Sequence, residues 1–250
     1  LEGKPLSSAA QQKLIKEELA LTRGSDLVLS VSAAEMKIMQ ANGLQDVAVL
    51  GHQVHPDPTS AGFDKRNSIF FLGAVHGDDT PNADSIRWFV SEILPQVRES
   101  LNLPHLRLQV VGLVSNAPSL QALDGVSVDL LGRVDDLKSL FDIARLVVVP
   151  TRYAAGIPHK AHHVASLGVP MVVTDLILEQ LGWTGGEDIL SSSEPEKFAQ
   201  HCADLYSDVS LWKKLRVNAL KRIESECSPE AFSQTIRRVV DVTCNNTSKE

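Results

Sequence analysis

Cysteine is scarce: Cys202, Cys227 and Cys244 are the only three in 250 residues, an odd number without framework spacing. That excludes a small domain held together by disulfides and points to a reducing, cytoplasmic compartment. No run of 18 apolar residues occurs, and Leu1-Glu2-Gly3-Lys4-Pro5 has neither the basic head nor the apolar middle of a signal peptide. Direct membrane insertion is therefore not expected. Positive charge is also short, with 24 Lys and Arg against 31 Asp and Glu for a net charge of −7. Such a chain repels nucleic acid, so no nucleic-acid partner is expected, and any polyanion it binds must meet a local site. The sequence contains no G-x-G-x-x-G fingerprint, no P-loop, no H-E-x-x-H and no G-x-S-x-G. These absences remove the dinucleotide-binding motif, the P-loop NTPases, the H-E-x-x-H zinc proteases and the nucleophile elbow.

What is present is ordinary globular composition, 43% apolar and 22% charged, in a chain long enough to bury a substantial core. Short apolar or β-branched runs at 27–31, 47–50, 69–72, 106–111, 126–130, 146–149 and 169–173 read as strands. Most are apolar at nearly every position, as in strands buried on both faces. Helical spacing follows at 34–41, 81–101, 136–143, 159–167, 194–205, 209–224 and 229–242, with a further helix at 8–23. In the 81–101 stretch Pro81 suits a first turn, and Ile86, Phe89, Val90, Ile93, Leu94 and Val97 form one stripe. This alternation predicts an α/β fold: a Rossmann-like open parallel sheet with helices on both faces. The last three helices, with no strands between them, are expected to cap one end. Residues 54–67, rich in Pro, Asp, Ser and Gly, read as a linker or surface loop.

In open parallel sheets ligands bind outside the carboxyl ends of the strands, which directs attention to two turns. One is residues 71–82, where Gly73 allows close backbone approach and the helix starting at Pro81 favours an anion. Taken alone it is equally a helix-start turn with Asp78 and Asp79 in solvent. The other is residues 150–160, a strand end, a loop of small residues and a helix start with Lys160 in its first turn. His159 and Lys160 oppose the dipole of that helix, an arrangement that a bound diphosphate would offset. His159, His162 and His163 are spaced to share one helix face, yet no carboxylate or cysteine accompanies them, and no metal is expected.

Several segments in order resemble the C-terminal, donor-binding half of a GT-B glycosyltransferase of the large retaining family 4, or group 1. They are Ser25-Asp26-Leu27-Val28-Leu29-Ser30-Val31-Ser32, then Phe71-Leu72-Gly73, then Pro81-Asn82-Ala83-Asp84-Ser85-Ile86-Arg87-Trp88-Phe89. Gly132-Arg133-Val134-Asp135, Arg152-Tyr153-Ala154-Ala155-Gly156-Ile157-Pro158-His159-Lys160 and Leu167-Gly168-Val169-Pro170 follow. The resemblance implies a metal-independent transfer of sugar from a nucleoside diphosphate sugar, which acts as co-substrate, with no further cofactor. It implies that backbone at Arg133 and Val134 meets the base. Gly73, His76, Tyr153, Ala154, Ala155, Gly156 and Ile157 would lie along the diphosphate and sugar, and Lys160 would neutralise phosphate. The family's paired glutamates are replaced by Ala155 and His163. His163 would then meet the donor with one hydrogen-bond donor and one acceptor. No catalytic residue is assigned. The resemblance also implies residues 1–24 as a remnant of, or link to, an acceptor-binding domain, and residues 25–250 as the donor side. Two further readings remain: a degenerate, non-catalytic interaction domain and a nucleotide-sugar epimerase.

Overall fold

The structure, a computed structural model, describes residues 7–22, 24–154, 156 and 158–247. Contacts group the described residues up to His52, with those from Phe232 onward, into one unit and Gln53–Ala231 into another. The first unit begins with α1 (Ser8–Ala20), whose Ala10 N–H donates to the Ser7 side chain. Strands β1 (Val28–Ser30) and β2 (Val47–Val49) pair in parallel around α2 (Ala33–Ala41), and the Ser32 hydroxyl caps α2 by accepting from Glu35 N at 3.2 Å.

The second unit holds the larger sheet, six parallel strands in the order β5-β4-β3-β6-β7-β8. They are β3 (Ser68–Leu72), β4 (Leu108–Val111), β5 (Val128–Gly132), β6 (Ala144–Val149), β7 (Met171–Val173) and β8 (Leu190–Ser191). Period-two alternation divides the strand side chains between two cores. Ile69, Phe71, Leu146 and Val148 pack under α3 (Pro81–Trp88), α4 (Leu94–Leu101) and α9 (Pro195–Ser207). Phe70, Val147 and Val149 face α7 (His159–Ser166), α8 (Asp175–Leu181) and α10 (Val209–Glu226), with Phe141 at the end of α6 (Leu137–Phe141). α11 (Pro229–Thr247) contributes to the first unit from Phe232.

Several elements depart from the sequence reading. The 81–101 helix is interrupted by a π turn at Phe89–Ile93, just ahead of Pro95, which has no N–H to offer the Ser91 carbonyl. β5 starts two residues later than its apolar run, leaving Val126 exposed. The turn α5 (Pro118–Gln121), α8 and the two-residue β8 were not anticipated. α9 lies over a sheet face instead of capping an end, with Phe198, Cys202 and Leu205 buried. Residues 54–67 are no free linker: Val54, Asp57 and Thr59 donate backbone bonds to Cys227, Ser166 and Leu167. Arg66 is fully buried and donates to the carbonyls of Ala61, Phe141 and Ala144 and to the Thr59 hydroxyl. The strap is therefore pinned from within, because a guanidinium buried at this depth must satisfy its donors on backbone.

Candidate active site

The strand order places the site. From β3 the chain runs outward to β4 and β5, then returns to β6 on the other side of β3. Connections leaving β3 and β6 diverge at that point, opening a crevice at the carboxyl edge. The β3 turn begins at Gly73, whose N–H donates to Val111 O at 2.9 Å, and Gly112 N–H donates to Gly132 O at 2.8 Å. Three strand ends thus finish in a row of glycines, Gly73, Gly112 and Gly132, that keeps side chains off the edge.

Helix α3 then starts at Pro81, with the Thr80 hydroxyl accepting from Ala83 N. Two side chains of its first turn reach across to the β6–α7 segment. Asp84 takes the Arg152 guanidinium through both oxygens, at 3.0 and 2.5 Å, and Arg152 also lies 5.4 Å from the Trp88 ring. The hydrogen bonds that Arg152 donates to Asp84 are the main cause that raises the Arg152 pKa. Asn82 accepts from Lys160 Nζ at 2.6 Å and donates through Nδ2 to Ala74 O at 2.7 Å. Lys160 is therefore turned inward, with its Nζ 4.7 Å from the Phe71 ring centroid. Burial lowers its pKa to about 8.

Asn82, Thr151, Ala154, Pro158, Lys160 and Gln180 are among the residues lining a cleft of about 330 Å³. Thr151 is buried, its carbonyl accepting from Thr174 Oγ1 at 2.6 Å, and the Ala154 carbonyl accepts from Gln180 Nε2 at 3.2 Å. Gly156 has φ +83°, which favours glycine. α7 starts at His159 without a side-chain cap.

The other expected site residues lie around this centre with less contact. Tyr153 is 44% exposed and His76 sits in solvent on the β3 turn. Arg133 and Val134 follow β5, two strands from β3. There Arg133 pairs with Asp135 at 3.4 Å in solvent, and Val134 packs partly against the core. His163 is only partly covered on α7, one turn beyond Lys160, and desolvation of its ring lowers its pKa. Ala155 and Ile157 lie outside the described residues. The three histidines do not share a face: His162 is buried, its ring 5.8 Å from that of Trp183. Among the described residues no group of three or more His, Cys, Asp and Glu could hold a metal ion. Asn82 and Asp84 were missed as site residues. The sequence signals for them are their place in the family-like segment from Pro81 to Phe89 and in the first turn of a helix that follows a strand end.

Residues 66–208, more than half of the chain, match the family model "Glycosyl transferases group 1". The chain belongs to this family. Solved structures share the fold of this group 1 transferase chain at low identity. HepE of Anabaena, solved with UDP and glucose, has a TM-score of 0.70 at 14% identity, over 92% of this chain and 67% of its own. TarM of S. aureus, solved with UDP, fondaparinux and α-GlcNAc-glycerol, has a TM-score of 0.69 at 12% identity, over 92% and 46%. Sucrose-phosphate synthase of Thermosynechococcus elongatus has a TM-score of 0.68 at 18% identity, over 95% and 63%. The chain thus spans about half to two-thirds of these structures, and its fold is that of one Rossmann-like half of the GT-B architecture. No curated protein matches it by sequence. Among the described residues no helix of this group 1 chain is long and apolar enough to cross a membrane.

Proposed function

We propose that this chain is the donor-binding half of a retaining, metal-independent glycosyltransferase that takes sugar from a nucleoside diphosphate sugar. The observation that carries the reading is the Lys160 ammonium held inside the crevice between the β3 turn and the β6–α7 segment. When the bond between the sugar carbon and the phosphate oxygen breaks, both electrons stay on the diphosphate. A fixed cation and backbone dipoles at that place stabilise the growing charge without a metal or other cofactor. Complexes of HepE and TarM with UDP support a nucleoside diphosphate as the leaving group. The glycine row, with Arg133 and Val134 at its far end, supplies the backbone for the nucleoside. His76, Tyr153, Ala154, Ala155, Gly156, Ile157 and His163 serve the diphosphate and sugar.

The acceptor, a glycan or lipid-linked sugar, would be held by a preceding N-terminal domain. In this reading residues 1–24 connect to that domain and 25–250 form the donor side, working in the cytoplasm or, through the other half, at the cytoplasmic face of a membrane. The test is calorimetric titration with UDP-, GDP-, ADP- and dTDP-linked sugars. Heat with at least one is expected, and silence with all four overturns the proposal. Ala155 and His163 at the family's glutamate positions favour a second reading, a site that binds nucleotide without transfer. A parent protein that binds donor yet neither transfers nor hydrolyses it would establish that reading.

A further inference from the structure

The Asn82 amide touches both sides of the crevice, and its orientation is fixed by what each side can offer. An ammonium only donates and a carbonyl only accepts, so Oδ1 must face Lys160 Nζ, at 2.6 Å, and Nδ2 must face Ala74 O, at 2.7 Å. No isosteric side chain does both. Aspartate has nothing to donate to Ala74, and leucine has nothing to give Lys160. Gly73 makes the room: a Cβ there would lie 2.9 Å from Asn82 Nδ2 and 3.2 Å from its Cγ. Gly73, Asn82 and Lys160, from a strand end and two helix starts, therefore form one interlocked unit.

The neighbouring latch shows why an amide at this place matters. Two residues on, Asp84 grips Arg152 with a carboxylate, an ion pair that holds the start of the β6–α7 segment. Asn82 holds Lys160 with a single neutral acceptor. The ammonium otherwise faces the Phe71 ring and is largely desolvated, so a phosphate oxyanion is a better partner for it than an amide oxygen.

We propose that Asn82 is the positioning residue of the cleft: its amide aims the Lys160 ammonium at the incoming diphosphate, yields it to phosphate, and keeps the Gly73–Ala74 turn in place. This rests on reading the cleft as a diphosphate site.

The test compares Asn82→Ala and Asn82→Asp in the full chain, each first shown to melt cooperatively. One arm titrates UDP, GDP, ADP and dTDP. The second measures acylation of Lys160 by an N-hydroxysuccinimide ester, read by peptide mass spectrometry, and needs no nucleotide. Asn82→Ala should weaken the diphosphate that binds the wild type by about tenfold and speed acylation of Lys160 several-fold. Asn82→Asp should weaken the diphosphate at least as much, since the carboxylate keeps the lysine and repels phosphate, yet it should slow acylation. Simple loosening of structure would speed acylation in both variants. Equal acylation in all three proteins, faster acylation in both variants, or diphosphate affinities within twofold of wild type would overturn the proposal. A wild type that binds none of the four overturns the donor reading and with it the role toward phosphate. Opposite acylation shifts would then still establish that Asn82 holds Lys160.

Discussion

Gly112 and Gly73 meet backbone to backbone at the carboxyl edge of the sheet: a Cβ on Gly112 would press on the Gly73 carbonyl, 2.6 Å from its carbon and 3.0 Å from Ala74 N. The contact lies between adjacent, hydrogen-bonded strands, so neither backbone can step aside without breaking the β3–β4 pairing. Gly112 has φ +138°, where side chains are rare. Gly112→Ala is expected to cost about 2–3 kcal/mol in urea unfolding. Gly132→Ala, at φ +67° with nothing within 4 Å, should cost only about 1 kcal/mol. Similar losses for both would show that the close approach is not what the edge depends on.

Asp84→Asn should separate stability from binding. The Arg152 side chain of this pair is 48% exposed, so solvent screens it and the loss in stability should stay below about 1 kcal/mol. Freed from its bidentate latch, the β6–α7 segment should hold the nucleoside diphosphate less well. Calorimetry beside thermal melting checks both, and an unchanged affinity would remove the latch from the site.

Binding should depend on pH through Lys160. Burial holds its pKa near 8, and a phosphate partner would raise it, so binding takes up a proton above that pH. Affinity for the nucleoside diphosphate should change little from pH 7 to about 7.5, begin to fall near pH 8 and drop by up to about tenfold per unit above it. Lys160→Met should bind weakly with no such slope. Without nucleotide the sign differs from that of a salt-bridged lysine. Between about 8 and 10.5 the unfolded chain carries more protons at this position than the folded one, so the Lys160 contribution to stability improves as pH rises through that window. Denaturant midpoints of wild type and Lys160→Met at pH 7.5 and 9.5 read this directly.

Arg66→Ala should be the most damaging of these substitutions. It strips the Ala61, Phe141 and Ala144 carbonyls and the Thr59 hydroxyl of a fully buried partner, at a cost of about 3–5 kcal/mol. Arg66→Lys should recover little, because an ammonium cannot reproduce the planar fork. Urea unfolding of both variants is the measurement, and a loss under about 1 kcal/mol would deny Arg66 its role in pinning the strap.

The sequence by itself determined the architecture and the family. Runs such as Ile69-Phe70-Phe71-Leu72 and Leu146-Val147-Val148-Val149 are apolar at every position and rich in β-branched or aromatic residues, as strands covered on both faces require. Ordered local motifs survive in one dimension, so the turn at Gly73 and the Lys160 helix start stand out in the sequence as strand-end turns where a ligand could sit. Tertiary structure alone decided what those residues touch. Arg66 looked like one charge in a polar stretch until the fold closed a shell of carbonyls around it. His162 shared a helix spacing with His159 and His163 until the sheet claimed one side of α7 as core. Asn82 and Lys160 stand 78 positions apart, and no local propensity links them. Periodicity reports which face of an element is buried, whereas the partner of a polar side chain depends on how distant segments meet, and that is set only when the chain packs.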